Sequence, residues 1–329
     1  MYGVIDFYRA ARAAGINPIL GCEVYVAPGS RFDREIGSGD DRYYHLVLLA
    51  ENNQGYANLM KIVSKSFVEG FYYKPRVDLQ LLEKYHEGLI ALSACLAGEV
   101  ARFLTRGMYE DAKAAALRYQ DIFGKGNFFL ELQDHGIPEQ QNVNQQLLKM
   151  HRETGIELVA TNDVHYTLAE DAQPHDVLLC LQTGKKLSDE NRMRYDGGQY
   201  YVKSPEEMER LFPYATEALE NTHKIAERCH VEIEFGVTKL PKFDVPEGYT
   251  SWEYLNELCF KGLEERYQPV TEELKERLNY ELSTIKNMGY VDYFLIVWDF
   301  IRRQEAWLLI RLGSHSLTRS VMTFCLSVS

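Results

Sequence analysis

The fold is indicated by two apolar stretches, PILGCEVYVA at residues 18–27 and YHLVLLA at residues 44–50. Both are short and strongly apolar, which is typical of buried β-strands. Similar stretches follow at residues 88–93, 127–132 and 157–161. Helical patterns separate them, at residues 4–14, 53–69, 109–123 and 139–154. The repeated alternation of strand and helix predicts an α/β protein with a parallel sheet, either open or closed into a barrel.

The pattern changes near residue 200, after which the chain becomes mainly helical. Ser204 and Glu207 form a capping box, with Pro205 at the first helical position. Further helical patterns lie at residues 216–229, 251–267 and 272–288. A proline-spaced segment, LPKFDVP at residues 240–246, divides them. We therefore expect a domain boundary between residues 200 and 245.

Composition is that of an ordinary globular protein and excludes several classes. The chain has 329 residues and a formal net charge of −12, which argues against general coating of nucleic acid. A local basic patch stays open, because Lys61, Lys65, Lys74 and Arg76 lie near the aromatic run at residues 71–73. These side chains could touch phosphates or could form a solvated helix end. No apolar run reaches about 18 residues, so no membrane span is expected. Six scattered cysteines and a start unlike a signal peptide favour a cytoplasmic location.

Four residues of metal-ligand type occur where predicted strands end. Asp163 and His165 form a D-x-H pair after the stretch at 157–161, and Cys95 follows the stretch at 88–93. Glu23 stands inside an apolar run, where a carboxylate is costly unless it is paired or binds a metal. Each has a plainer alternative, as a loop residue, an exposed glutamate or a buried free cysteine. Together they predict a metal site at the carboxyl ends of the strands, suited to metal-assisted hydrolysis of a phosphoester.

Two histidines are weaker candidates. His45 opens the stretch at residues 44–50, which is an awkward place for a site at the carboxyl ends of strands, and a core histidine is the alternative. His135 follows the stretch at 127–132 and could orient a ligand or contact a substrate, or could be a plain loop residue.

Long strings of the sequence are familiar: MYGVIDFYRAARAAGINPILGCEVYVAP at residues 1–28, GLIALSACLAGEV at 88–100, ELVATNDVHY at 157–166 and ELSTIKNMGYVDYFLIVWDFI at 281–301. They resemble the amino-terminal part of the bacterial replicative DNA polymerase III alpha subunit family. That family begins with a PHP (polymerase and histidinol phosphatase) domain, a distorted (β/α) barrel with a multinuclear metal site. The resemblance implies a site for Zn, Mn or Mg. The ligands that it implies are Glu23, His45, Cys95, Asp163 and His165.

The sequence also departs from the family pattern at both ends. In the family an H-x-H motif and a T-D-H-G motif precede the string MYGVIDFY, so the resemblance implies an incomplete PHP-type barrel. The family continues past residue 301 into a glycine-rich turn and the palm aspartates that hold Mg²⁺, whereas residues 302–329 lack both. A shifted reading frame would give such an atypical tail.

The resemblance implies four parts: a partial PHP domain at residues 1–205, a helical connection and linker at 206–245, the start of the polymerase palm or core region at 246–301, and the tail at 302–329. It implies a fragment of the catalytic subunit of a DNA-directed DNA polymerase, which alone is not expected to polymerise. A PHP phosphoesterase or 3′-5′ exonuclease and a non-catalytic structural fragment are the alternatives. The family also implies DNA, dNTPs, a sliding clamp, a proofreading exonuclease subunit and a clamp-loader subunit as partners.

Overall fold

The computed structural model describes residues 1–35, 42–237 and 239–312, with residues 304–312 described by their backbone alone. The chain divides into two compact units, Met1–Ile233 and a second one that begins at Glu234. The segment at residues 31–42 is polar and contains glycine, which is typical of a loop, and part of it lies outside the described residues. Most of the tail expected at residues 302–329 also lies outside them.

The first unit is an α/β structure built on a seven-stranded sheet. The strands are β1 (Gly21–Val26), β2 (Tyr44–Ala50), β3 (Phe71–Tyr72), β4 (Lys74–Val77), β5 (Leu89–Leu92), β6 (Phe128–Leu132) and β7 (Leu158–Ala160). The helices are α1 (Val4–Ala13), α2 (Asn53–Val68), α3 (Leu79–Tyr85), α4 (Glu99–Thr105), α5 (Tyr109–Phe123), α6 (Pro138–Thr154), α7 (Ala172–Thr183), α8 (Pro205–Leu211) and α9 (Thr216–Arg228). The predicted α/β class is confirmed.

The strands lie in the order β3-β4-β1-β2-β5-β6-β7. The prediction of a parallel sheet is wrong for β2, which runs antiparallel to both β1 and β5. A parallel connection needs a crossover, usually a helix, and the segment between β1 and β2 contains none in its described part. Helices do join β5 to β6 and β6 to β7, and these pairs are parallel.

Both faces of the sheet are covered, but unequally. On one face Val24 and Leu46 join a large core that includes Leu59 of α2. On the other face Ile90 of β5 packs with Ile225 of α9 in a smaller cluster. β5, β6 and β7 are therefore buried along their whole length, whereas β1 alternates between buried and exposed positions. The open positions of β1 belong to the face that carries the smaller cluster.

The second unit is helical in its described part. It contains α10 (Ser251–Arg266), α11 (Glu272–Asn287) and α12 (Val291–Leu312), and Thr250 and Thr271 cap the first two helices. Leucines such as Leu263, Leu282 and Leu295 form its core. Across the described residues of both units, every helix is too short or too polar to cross a bilayer.

Candidate metal centre

The antiparallel direction of β2 explains the position of His45. β1, β5, β6 and β7 all point the same way, so the start of β2 lies at the edge of the sheet where they end. His45 pairs with Tyr25 of β1, and its backbone N–H donates to the carbonyl of Ala97 at 3.0 Å, in the turn after β5. The position that was awkward for a parallel sheet therefore places His45 beside the other candidate ligands.

Three of the five predicted ligands meet at this edge. His45 Nδ1 lies 3.0 Å from Glu23 Oε1 and 3.6 Å from Cys95 Sγ. The ligand atoms of all three side chains lie within 4.8 Å of one another, and we call these residues, as a candidate site, the metal centre. Glu23 comes from the middle of β1 and not from its end, because it pairs with Val47 inside the ladder. Carboxylate, imidazole and thiol thus converge from β1, β2 and the turn after β5.

The turn that carries Cys95 is held tightly. Ala94 has a positive φ of 63°, a conformation that costs a non-glycine residue about 1–3 kcal/mol and persists only where the surroundings enforce it. The N–H of Gly98 donates to the carbonyl of Cys95 at 2.8 Å. A Cβ at Gly98 would lie 2.1 Å from the carbonyl oxygen of Ser93, so the turn closes this far only because residue 98 is a glycine. The backbone from which the Cys95 side chain extends is therefore held in one position.

Asp163 and His165 stand beside the metal centre and are not members of it. Asp163 follows β7 and has a φ of 41°, again in the left-handed region. His165 Nδ1 donates to the carbonyl of Asp163 at 2.7 Å, which leaves its Nε2 available. Such a bond to one ring nitrogen is the usual way in which a metal-binding histidine is oriented. The carboxylate Oδ1 of Asp163 lies 4.0 Å from the same Nδ1.

Electrostatics link Asp163 to the metal centre. Burial raises the pKa of Asp163 above its usual range, and the negative charge of Glu23 adds to this, while nearby histidines oppose it. Burial also raises the pKa of Cys95 to about 12, with further contributions from the charges of Asp163 and Glu23. A divalent cation would relieve this unfavourable concentration of acidic groups, which is characteristic of a metal site.

His135 supports the neighbouring loop. It is buried, and its ring stacks on Tyr200 at a centroid distance of 3.9 Å. Nε2 donates to the carbonyl of Asn162 at 2.8 Å, and Nδ1 accepts from Gln140 Nε2 at 2.8 Å. Because both nitrogens are engaged, His135 holds the backbone next to Asp163.

Sequence reasoning missed Glu131, a buried carboxylate in β6 that is 5% exposed. Its Oε2 accepts from the backbone N–H of Ala94 at 2.8 Å, next to Cys95. Its Oε1 accepts from Gln133 Nε2 at 3.1 Å and from Thr161 Oγ1 at 2.5 Å. Glu131 thereby connects the Cys95 turn to the end of β7. A signal for it existed, because FFLEL places one carboxylate inside an apolar strand, the same feature that drew attention to Glu23.

Comparison with known proteins shows which family the chain is similar to. The PHP domain model matches residues 1–135, which include the whole metal centre, and the model for the bacterial DNA polymerase III alpha NTPase domain matches residues 253–329. The DNA polymerase III subunit alpha of Treponema pallidum is 44% identical over the full chain, and that of Borreliella burgdorferi is 45% identical. This chain belongs to the DNA polymerase III alpha subunit family. The family predicted from the sequence is thus confirmed.

The match covers only part of each relative. The chain corresponds to 28% of the Treponema protein and 29% of the Borreliella protein. The subunit alpha of Thermus aquaticus is 39% identical over 92% of this chain and 30% of its own length. The chain therefore spans less than a third of the length of the relatives it matches, in a region that contains a PHP domain.

Proposed function

We propose that the first unit binds a divalent metal ion through Glu23, His45 and Cys95, with Asp163 and His165 beside it. In this proposal the chain acts as the metal-binding N-terminal part of a bacterial replicative DNA polymerase. The observation that carries it is the convergence of three ligand types, from two strands and the turn after a third, within 4.8 Å. Surface carboxylates often cluster without a metal, but a thiol and an imidazole beside the carboxylate make a set that suits a transition metal.

The ligand set favours Zn²⁺, with Mn²⁺ as the next candidate. Thiolate and imidazole are typical zinc ligands, whereas Mg²⁺ prefers oxygen ligands throughout. The Cys95 thiol, with a pKa of about 12, has to lose its proton when it binds a metal. We therefore expect Zn²⁺ binding to release protons and to weaken as the pH falls.

A second candidate function is metal-dependent hydrolysis of a phosphodiester, as a phosphoesterase or 3′-5′ exonuclease. The observation that favours it is Asp163, an additional acidic group held beside the metal centre by a strained backbone and by the support of His135. A divalent ion at such a site supplies charge stabilisation to a phosphoryl group. Asp163 and His165 would then orient the substrate or accept a proton.

We propose polymerisation, and the partners that it needs, only for a full-length subunit and not for this chain alone. The relatives are named as polymerase subunits, and this chain matches under a third of their length. DNA, dNTPs with Mg²⁺, a sliding clamp, a proofreading exonuclease subunit and a clamp-loader subunit are proposed at that level. Polymerisation needs two metal ions held by acidic residues, and the sequence offers no residues for that role. We expect no primer extension by this chain alone.

The test uses the 329-residue chain, stripped with EDTA and titrated with Zn²⁺ or Mn²⁺ in a calorimeter. We expect tight Zn²⁺ binding by the unmodified chain, and a loss of more than about 100-fold in affinity in His45→Ala, beyond the usual effect of losing an outer partner. His223→Ala is the matched control, because His223 forms an exposed pair with Glu227 at 3.2 Å on α9. Equal Zn²⁺ affinity in His45→Ala and His223→Ala would contradict the proposed site.

The same samples decide between a catalytic and a structural site. Loaded chain is incubated with a single-stranded oligonucleotide labelled at its 5′ end, and with a primer–template and dNTPs. Shortening of the oligonucleotide that His45→Ala abolishes would support hydrolysis. Metal binding without shortening would leave a structural metal site, and primer extension would refute the expectation that this chain does not polymerise.

A further inference from the structure

We propose that a strip of aromatic and cationic side chains beside the metal centre binds single-stranded nucleic acid and leads its end towards Glu23 and His45. We call it the aromatic strip, and its members are Tyr25, Arg42, Tyr43, Tyr73 and Lys74. The inference rests on the proposed function only in its claim that the end of the nucleic acid reaches the metal centre. Binding of the strand itself requires no metal.

The strip begins at the metal centre. The rings of Tyr25 and His45 lie 5.2 Å apart, and those of Tyr25 and Tyr43 lie 4.6 Å apart. Tyr43 and His45 are nearly parallel, at an angle of 3° and a distance of 6.0 Å. Since His45 also contacts Glu23, the rings continue directly into the ligand group.

Two cations continue the strip outwards. Lys74 Nζ lies 5.8 Å from the centre of the Tyr25 ring, and the guanidinium of Arg42 lies 5.1 Å from that of Tyr73. Tyr73 precedes Lys74 in the chain and Arg42 precedes Tyr43, so adjacent residues link the two cation–ring pairs to the strip. In the part of the chain that the structure describes, neither Arg42 nor Lys74 has a carboxylate partner.

Strand register explains why Tyr25 and Lys74 share one face with Glu23 and His45. Tyr25 pairs with His45 of β2 on one side and with Arg76 of β4 on the other. Alternate residues of a strand point to the same face, so Glu23 shares a face with Tyr25, and Lys74 shares a face with Arg76. This is the face on which β1 keeps its exposed and half-exposed positions.

The basic patch considered from the sequence does not form as a patch. Lys65 Nζ pairs with Glu69 at 2.6 Å, and Lys61 lies over Tyr85. Arg76 is 3% exposed, and its guanidinium donates to backbone carbonyls such as that of Gly70. Lys74 alone of the four joins the aromatic strip.

Exposed rings next to cations match the chemistry of single-stranded nucleic acid. Bases stack on aromatic side chains whatever their sequence, and cations between the rings meet the phosphates. The side chain of Tyr73 is 66% exposed, so its ring is open to solvent. The backbone at Tyr73 has a φ of 61°, a conformation that tyrosine rarely adopts. In a duplex the bases are already stacked on each other, so the rings favour an unpaired strand.

The experiment measures fluorescence anisotropy of a labelled oligothymidylate with the full chain, in EDTA, over a series of salt concentrations. Tyr25→Leu is expected to weaken binding by about fivefold or more, which is the effect of losing one stacked base, and Tyr25→Phe should retain most of that affinity. The double variant that combines Arg42→Ala with Lys74→Ala should depend less on salt. The negative slope of log K against log salt should become shallower by about 0.7 for each phosphate that the variant no longer neutralises. The matched control is Lys149→Ala, which removes an exposed cation lying 4.0 Å from the Tyr109 ring outside the strip.

The outcomes separate this inference from the proposed metal site. No binding of the oligonucleotide by the unmodified chain, equal affinity for a duplex, or equal losses in Lys74→Ala and Lys149→Ala would overturn the strip, whatever the Zn²⁺ titration shows. Selective losses in the strip variants, with no Zn²⁺ bound by the unmodified chain, would support the strip and refute only the metal site. Should Tyr25→Leu fail to fold, the salt slopes of the Arg42 and Lys74 variants still decide.

Discussion

Replacing Glu131 tests whether one buried carboxylate holds the loops of the metal centre. We expect Glu131→Met to destabilise the first unit and to weaken metal binding, although the side chain lies outside the group of ligands. Methionine has a similar length and fills the same space, but it cannot accept the hydrogen bonds that Glu131 accepts from Ala94, Gln133 and Thr161.

The size of the destabilisation depends on whether each group that donates a hydrogen bond to Glu131 can find another acceptor. Gln133 Nε2 already lies 3.3 Å from Thr161 Oγ1, so these two side chains can bond to each other when the carboxylate is lost. The backbone N–H of Ala94 has no such freedom, because it sits in the fixed turn before Cys95. One buried donor left unsatisfied costs about 1–3 kcal/mol, and this is the expected loss in the free energy of unfolding.

Glu131→Gln is the matched control. Its amide oxygen can accept from Ala94, and its NH₂ group can donate to Thr161 Oγ1 or to Gln133 Oε1, which has no partner now. We therefore expect a loss below about 0.5 kcal/mol in the glutamine variant. The assay is urea unfolding followed by far-ultraviolet circular dichroism, because all three tryptophans lie in the second unit. Equal stability of the methionine and glutamine variants would show that Glu131 does not hold the turn.

Three further predictions follow from other buried groups. Arg31→Ala should cost about 3–5 kcal/mol, because it leaves the buried carboxylate of Asp78 without its ion pair, whereas Lys275→Ala in an exposed pair should cost less than about 1 kcal/mol in the same urea assay. Burial lowers the pKa of His135 below 6.5, so His135 binds a proton more readily in the unfolded chain than in the folded one. The free energy of unfolding should therefore fall as the pH drops below about 6.5. His135→Gln should flatten this dependence, and an unchanged slope would refute the assignment. Because Cys95 has a pKa of about 12, Cys95 should resist alkylation at about pH 8 in the metal-free folded chain, and rapid labelling of Cys95, located by mass spectrometry of its peptide, would contradict this.

Long elements with a clear period could be predicted from the sequence. The stretch at 44–50 coincides with β2, and the pattern at 109–123 coincides with α5. These elements bury one face or both, so their apolar spacing carries the whole signal. β3, with two residues, and β4, which contains Pro75 and two charged residues, carry no such signal and were not predicted.

Strand direction was the main feature that the pattern did not determine. Apolar spacing is the same in parallel and antiparallel strands, and only the connection between β1 and β2 distinguishes them. The error made His45 an awkward candidate on spacing alone, and it was the family resemblance that favoured it. Once β2 is reversed, strand geometry alone brings His45 to Glu23 and Cys95.

The roles of Glu131 and His135 depend on contacts between distant segments. Glu131 bonds to Ala94 across 37 residues, and His135 bonds to Asn162 across 27. Such contacts follow from the sheet order, which local sequence patterns do not encode. The candidate ligands and His135 were identifiable by chemical type, whereas the contacts that Glu131 and His135 make were visible only in the structure.

The most direct measurement is an anomalous difference map from crystals of the full chain soaked with Zn²⁺. We expect a peak bounded by Glu23, His45 and Cys95, at about 2.0–2.3 Å from a carboxylate oxygen, a ring nitrogen and the sulfur. A map with no peak there, and with the three side chains still in contact with one another, would contradict the metal centre.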